Sequence, residues 1–172
     1  MVAVKIVISF MIVILSTYIG IIKSNKLKSR EYILREMVTF LGLVENDIRY
    51  MMNILPNIYE SARQKLSTEL KNVMGKIVVD MLKNNETGLI EQSIVNNVSK
   101  LDSLNDYDKN VFISTLKSLG KSDLESQISI IENGINILQN QIKEANDTKM
   151  KNSKLYKTVG TITGIMIVVI FI

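Results

Sequence analysis

The sequence predicts an all-α fold, a helical bundle of about six helices between an N-terminal and a C-terminal transmembrane helix. Three observations indicate this. Apolar residues recur at three- and four-residue spacing through most of the chain, which is typical of helices with one buried face. No segment alternates apolar and polar residues over a convincing length. Both ends of the 172-residue chain are apolar runs with almost no charge.

The first terminal segment, residues 1–22, is predicted to be a transmembrane helix. Residues 6–22 contain no charged side chain over 17 positions, and with residues 2–5 the run approaches the roughly 20 apolar residues that span a bilayer. A cleaved signal peptide is the alternative, with Lys5 as its basic start. Because the run is long, four bases follow it directly and no small-residue cleavage pattern is present, we favour an uncleaved anchor.

Three helices are predicted in the first half of the middle region, residues 23–154. The first covers residues 31–48 and continues from the terminal segment. Pro56 interrupts the chain and suits the first turn of the second helix, which carries Ile58, Ala62 and Leu66 on one side. The third runs near residues 68–82. The core-facing residues that we predict in the first and third helices are Leu34, Met37, Val38, Leu41, Val44, Ile48, Leu70, Val73, Met74, Ile77, Val78, Met81 and Leu82.

Three further helices are predicted after the turn Asn-Asn-Glu-Thr-Gly. The fourth covers residues 89–101, and the fifth runs from about residue 103 to Gly120, which suits the left-handed position that ends a helix. The sixth begins at Ser122 and keeps a heptad-like rhythm over about five turns. The core-facing residues that we predict in the fourth and sixth helices are Leu89, Ile90, Ile94, Val98, Leu101, Leu124, Ile128, Ile131, Ile135, Leu138 and Ile142.

The last segment, residues 155–172, is predicted to be a second transmembrane helix. Its uncharged part begins at Thr158 and is 15 residues long, so Lys157 would extend its ammonium group toward the lipid headgroups. A buried core helix of this length is the alternative. Gly160 and Gly164 form a G-x-x-x-G spacing that lets membrane helices approach closely and would support a homo-oligomer. Glycine is also simply tolerated in membrane helices, and both interpretations stay open.

Charge is distributed unevenly along the chain. All 17 acidic residues lie between Glu31 and Asp147. The same stretch contains 12 basic residues, so its net charge is −5, although that of the whole chain is +4. Basic clusters follow the first apolar run and precede the second: Lys23, Lys26, Lys28, Arg30, Lys149, Lys151, Lys154 and Lys157. The positive-inside rule therefore predicts a cytosolic middle region. Beside apolar runs, these clusters indicate anionic lipid rather than nucleic acid as their partner.

The composition excludes several kinds of chemistry. The chain has no cysteine, histidine or tryptophan, so it lacks the usual zinc ligands, a thiol nucleophile and an imidazole base. Asp102, Asp106 and Asp108 are the densest carboxylates, but the segment lacks the central glycine and closing glutamate of a calcium loop. We interpret it as a solvated helix start. No catalytic residue, metal site or cofactor is predicted, and the chain is not expected to be an enzyme.

One turn carries more polar residues than a helix connection needs. Ser122 and Glu125 have the spacing of a capping box, and Asp123 would add charge that complements the helix dipole. A capping box does not require Asp123 or Gln127, which lie one turn apart on one face. We predict that Leu119, Gly120, Ser122, Asp123 and Gln127 form a motif for inter-helix packing or partner contact, with simple helix punctuation as the alternative.

Several segments, in order along the chain, resemble the stage III sporulation protein AB family of endospore-forming bacteria. They are "NKLKSRE" after the first apolar run, "TGLIEQSI" in the middle, "LGKSDLESQ" at the turn and "KLYKTVGTITGIMIVVIFI" at the end. The family has a similar Leu-Gly-x-Ser-Asp-x-x-x-Gln signature and a Lys-x-Tyr-x-x-x-Gly start to its last membrane helix. One departure is Ile94, which stands where members tend to carry an aromatic residue.

The resemblance implies a function that composition alone does not. Members of the family are two-span proteins of the mother-cell membrane around the forespore, where they help to build a channel. Their cytosolic domain is similar to that of the type II secretion F platform protein, which couples to a secretion ATPase. The implied partners are the sporulation ATPase, stage III sporulation protein AA, and other channel components. The alternative from the residues alone is a holin-like or signalling two-span protein, and a lipid- or peptide-modifying enzyme is less favoured.

Overall fold

The computed structural model describes residues 2–50, 53–67, 69–83 and 86–171, with side chains except those of residues 2–10, 157, 160–161, 164–165 and 168–171. These residues form six α-helices and no strand: α1 (Val2–Tyr50), α2 (Leu55–Gln64), α3 (Glu69–Lys83), α4 (Thr87–Val98), α5 (Asp106–Ser118) and α6 (Leu124–Phe171). The predicted all-α fold with about six helices is confirmed. The first and last helices are continuous with the apolar ends of the chain.

The chain divides into two compact units. We call residues Tyr32–Lys143 the helical bundle. We call Met1–Glu31 together with Glu144–Ile172 the terminal helix pair, since it comprises the outer parts of α1 and α6.

The helical bundle has an apolar core built around the aromatic ring of Phe40. Phe40 and Tyr59 meet edge to face with their ring centroids 5.3 Å apart, and Phe40 meets Phe112 in the same way at 6.0 Å. All three side chains are fully buried. Edge-to-face contacts of this kind add to the stabilisation from burial, so the rings hold α1, α2 and α5 together.

Most of the apolar residues predicted to face inward are buried, but Val38, Met81, Ile90 and Ile135 are only half-buried and three others are exposed. Leu82, Leu89 and Leu124 are 63%, 45% and 49% exposed, so their predicted core positions are wrong. Leu82 lies at the end of α3, Leu89 in the first turn of α4, and Leu124 is the first residue of α6. A helix end can continue the apolar stripe beyond the last turn that meets a neighbouring helix, which explains the error.

Helices α5 and α6 approach each other closely at Gly134. A Cβ atom at Gly134 would lie 2.6 Å from the Thr115 hydroxyl oxygen and 3.2 Å from its methyl carbon. The Thr115 hydroxyl donates a hydrogen bond to the Val111 carbonyl at 2.9 Å, which satisfies it within its own helix. Only glycine leaves room for Thr115 at this crossing.

The terminal helix pair is held by polar contacts between antiparallel helices. The hydroxyls of Ser24 and Ser153 are 2.6 Å apart, and Ser24 is fully buried. The Lys23 ammonium lies 5.9 Å from the ring centroid of Tyr156. Further contacts join Arg30 to Glu144 at 3.4 Å and Lys149 to Glu31. In these contacts the later residues of α1 meet the earlier residues of α6, so the two helical segments run antiparallel.

Large apolar side chains of the terminal helix pair point outward. Those that are exposed are Met11, Ile14, Leu15, Tyr18, Ile19, Ile21, Ile22, Met150, Leu155, Tyr156, Val159, Ile162 and Met166. In the part of the chain that the structure describes, no helix meets the length and hydropathy required to cross a membrane.

Candidate partner-binding surface

The turn between α5 and α6 contains the predicted motif. Leu119 ends α5 in an extended conformation and is buried. Gly120 follows with a φ of +79°, a left-handed conformation that is costly for any residue with a Cβ atom. The prediction that Gly120 ends the fifth helix in this conformation is confirmed.

Helix α6 is capped by Asp123 and not by Ser122. The backbone N–H of Ser126 donates to the Asp123 carboxylate at 3.1 Å, and the Ser126 hydroxyl donates to its other oxygen at 2.6 Å. These hydrogen bonds lower the pKa of Asp123. The predicted Ser122–Glu125 capping box is therefore wrong. Both Ser and Asp are favoured cap residues, and the helix begins at Leu124, one residue after the aspartate.

Gln127 closes the turn with both ends of its side-chain amide. Its Oε1 accepts a hydrogen bond from the Gly120 backbone N–H at 2.9 Å, and its Nε2 donates to the Ser122 carbonyl at 2.8 Å. The side chain thus satisfies one backbone donor and one acceptor that neither helix can pair. In this chain Gln127 therefore has a structural role in holding the turn between α5 and α6.

Glu91 joins this turn to α4. Its carboxylate lies 2.8 Å from the Lys117 ammonium and 2.5 Å from that of Lys121. Hydrogen bonds from the two lysines lower the pKa of Glu91 to about 2. The contact brings together the segments "TGLIEQSI" and "LGKSDLESQ", which are far apart in sequence. Sequence reasoning missed Glu91, Lys117 and Lys121 as a cluster, although Glu91 and Lys121 each lie within a motif that the sequence had singled out.

An apolar cleft of about 270 Å³ lies beside this cluster. Buried side chains form its floor, among them Tyr59, Ile94, Leu116 and Leu119. Thr87, Glu91, Lys117, Gly120 and Lys121 also line it and are partly or fully exposed. The cleft can accept an apolar group while its rim offers charged and backbone polar groups.

Tyr59 is the unusual member of the cleft. Its side chain is fully buried, and its hydroxyl has no hydrogen-bond partner among the residues that the structure describes. Burial raises its pKa, so the hydroxyl stays protonated and can donate. Buried hydroxyls are nearly always paired.

The aspartate-rich segment starts α5, as predicted. Asn105 caps the helix by accepting from the Asp108 N–H at 2.7 Å, while the Asp108 carboxylate accepts from the Asn105 N–H at 3.3 Å. Asp108 is fully buried, which corrects the expectation of a solvated carboxylate. No group of acidic residues in the described ranges has the arrangement of a metal site.

Gly160 and Gly164 are not among the residues whose surroundings the structure describes, so their role in helix packing stays a prediction.

The family model described as stage III sporulation protein AB matches residues 5–172, which is nearly the whole chain. No curated protein and no solved structure matches the sequence or the fold.

Proposed function

The chain belongs to the stage III sporulation protein AB family and has a role in sporulation, and we propose that it is a non-enzymatic membrane platform of the channel between mother cell and forespore. In this role its two ends lie in the mother-cell membrane as two spans. The bundle stands in the cytosol, resembles the type II secretion F domain and couples to the sporulation ATPase, stage III sporulation protein AA.

The observation that carries the proposal is that the terminal helix pair has apolar side chains on its surface and a polar contact between its helices. Its exposed side chains over residues 11–22 and 155–166 are largely apolar, whereas Ser24 is fully buried against Ser153. A contiguous apolar surface is unfavourable in water and marks an interaction with lipid or protein. Basic residues at 23–30 and 149–157 stand at one end of both segments, where anionic headgroups would bind them.

Membrane insertion and orientation can be tested together. We expect the chain to stay in the membrane fraction after washing with high salt and carbonate. A reporter that is active only outside the cytosol should give signal when fused after residue 172. Extraction by salt alone would contradict insertion, and a silent reporter on an inserted chain would contradict the orientation only.

Coupling to the ATPase is assigned to the cleft and the cluster of Glu91, Lys117 and Lys121. Three elements, α4, α5 and the start of α6, are joined there by ion pairs and the Gln127 contacts, so these groups are already held together in the free chain. Rigid surfaces lose less entropy on binding.

The test is co-purification of the tagged full chain with the ATPase from sporulating cells. We expect Lys121→Glu to reduce the recovered ATPase strongly and Lys65→Glu, an exposed control on α2's end, to leave it unchanged. Absence of the ATPase with the unaltered chain would reject the coupling.

Self-association through the last helix is a separate part of the proposal. Gly160→Ile and Gly164→Ile should lower the oligomer size in detergent, because bulky side chains keep membrane helices apart. An unchanged size would reject this role for the two glycines.

A further inference from the structure

A polar groove of about 810 Å³ lies along α3 and α4 of the helical bundle. Its lining includes three cations, Arg63, Lys76 and Lys100, and one carboxylate, that of Asp80. Arg63 is paired with Glu60 at 2.5 Å, so the two lysines are the charges that face an incoming ligand. The bundle as a whole contains 12 basic and 14 acidic residues, and the groove therefore differs from it in the sign of its charge.

Buried polar side chains form the floor of the groove. Ser93 and Asn97 are only 8% and 6% exposed. The Ser93 hydroxyl donates a hydrogen bond to the Asp80 carboxylate, and the Asn97 amide donates to the Ser93 carbonyl at 3.0 Å. These bonds satisfy the floor internally, so its side chains are fixed and the ligand-binding groups are those of the rim.

The rim offers charged and polar groups that no residue in the described ranges satisfies. Lys76 makes no ion pair there, and the Lys100 ammonium donates only to the neutral Asn97 amide, at 3.3 Å. The side-chain amides of Asn72 and Asn96 make no hydrogen bond with those residues either. Asn72 and Lys76 are one turn apart on α3, as are Asn96 and Lys100 on α4, so each wall presents an amide beside an ammonium.

These groups complement an extended acidic peptide. An asparagine side chain donates and accepts hydrogen bonds as a peptide group does, and an ammonium pairs with a carboxylate. Along α3 the groove extends from residue 72 to residue 80, which is about 12 Å at a rise of roughly 1.5 Å per residue. That distance is the length of about four residues in an extended segment.

A phosphate group or a nucleic acid complements the groove less well. Phosphate sites gather backbone N–H groups at the first turn of a helix, whereas residues 72–80 and 93–97 lie inside α3 and α4. None of the described residues that line the groove is aromatic, so bases would have no ring to stack on. The net negative charge of the bundle would also repel a long polyanion.

We propose that the groove binds an extended segment of another protein that carries at least two acidic residues. One carboxylate of the segment contacts Lys76 and another contacts Lys100, while Asn72 and Asn96 form hydrogen bonds with its backbone. The groove shares no lining residue with the apolar cleft, so the inference does not rest on the proposed coupling to the ATPase.

The test begins with a photoreactive benzoylphenylalanine in place of Val79, which lines the groove and is 46% exposed. In the full chain in sporulating cells it should capture a peptide with at least two Asp or Glu residues within about four positions. A fluorescent synthetic copy of that peptide is then titrated with the purified full chain in detergent. Lys76→Gln with Lys100→Gln should raise Kd about fourfold to twentyfold, the effect of losing two exposed ion pairs, and should weaken its dependence on salt.

A matched control removes two other lysines of the same helix. Lys71→Gln with Lys83→Gln lies outside the groove and should leave Kd unchanged, and circular dichroism checks that both double variants are folded. A peptide with its acidic residues replaced by Asn and Gln tests the same contacts on the unaltered chain and should lose affinity by a similar factor.

Several outcomes would overturn the inference. They are no cross-link at residue 79, a cross-link to lipid or to a second copy of this chain, a captured peptide without the acidic pair, and the same Kd for both double variants or both peptides. Co-purification of the ATPase is measured separately and depends on Lys121 in the other site. Either proposal can therefore fail while the other stands.

Discussion

Ile131 and Ile19 lie on long helices of the same chain, yet their surroundings are opposite. Ile131 is fully buried in the helical bundle, whereas Ile19 on the terminal helix pair is 56% exposed. In the bundle the charged side chains lie mostly outside and apolar ones form the core. In the terminal helix pair, Gly20 and Ser24 are buried between apolar residues that point outward.

The difference shows what drives association in each unit. The bundle hides apolar surface from water, which is the main stabilising term in a soluble fold. The terminal helix pair leaves such surface exposed and joins its helices through a small-residue contact and hydrogen bonds. That combination stabilises helix pairs in lipid, where apolar burial between helices contributes no driving force.

The largest expected effect concerns the helix pair itself. The chain has no native cysteine, and the Ser24 and Ser153 hydroxyls are 2.6 Å apart, so the double variant Ser24→Cys and Ser153→Cys should form an intramolecular disulfide almost completely on mild oxidation. Its mobility on a non-reducing gel measures this. The control is Ile22→Cys with Ser153→Cys, because Ile22 is two residues from Ser24, on the opposite face of α1, and is 50% exposed. Equal oxidation of both variants would contradict the specific packing of Ser24 against Ser153.

Removing an apolar side chain should have opposite consequences in the two units. Phe40→Ala removes the ring that joins Tyr59 and Phe112, and we expect it to lower the free energy of unfolding of the bundle by about 3–5 kcal/mol. Ile19→Ala removes an exposed side chain of the terminal helix pair and should change the free energy of unfolding by less than about 0.5 kcal/mol. Denaturant unfolding in detergent, followed by circular dichroism, compares the two. A large loss of unfolding free energy with Ile19→Ala would show that the terminal helix pair also depends on a core that excludes water.

The cap of α6 provides a smaller test of the bundle's surface. Asp123→Ala should lower the melting temperature by about 2–4 °C because it removes the cap of Ser126. Ser122→Ala should have no measurable effect, since the Ser122 contact to Gln127 uses its backbone carbonyl. Thermal unfolding of both variants measures this. A larger loss of melting temperature with Ser122→Ala than with Asp123→Ala would instead support the capping box predicted from the sequence.

The smallest expected effect is the pH dependence of the Glu91 cluster. In the folded chain the pKa of Glu91 is about 2, below its ordinary value of 4.5. A lowered pKa means that the stabilisation is present above about pH 4.5 and is lost as the pH falls toward 2. The melting temperature of Glu91→Gln should therefore lie below that of the unaltered chain near neutral pH, and the gap should close in acid. A gap that persists at the lowest pH would show that packing and not charge is responsible.

Much of the fold could be predicted because helices follow from local pattern. The apolar spacing located six helices, and Pro56 and Gly120 marked two of their boundaries. The same pattern placed Leu82, Leu89 and Leu124 in the core, since periodicity shows which face is apolar but not where a neighbouring helix ends. The cap was misplaced by one residue because Ser122 and Asp123 both suit that position.

The sequence alone determined the all-helical class, the apolar ends with their basic flanks, and the polar turn at residues 119–127. These features depend on interactions within one or two helical turns or on composition. Only the tertiary structure decided that Glu91 binds Lys117 and Lys121, that Gly134 leaves room for Thr115, and that the Tyr59 hydroxyl is buried with no partner among the described residues. Such contacts join residues distant in sequence, and their geometry is set by how whole helices cross, which no local pattern encodes.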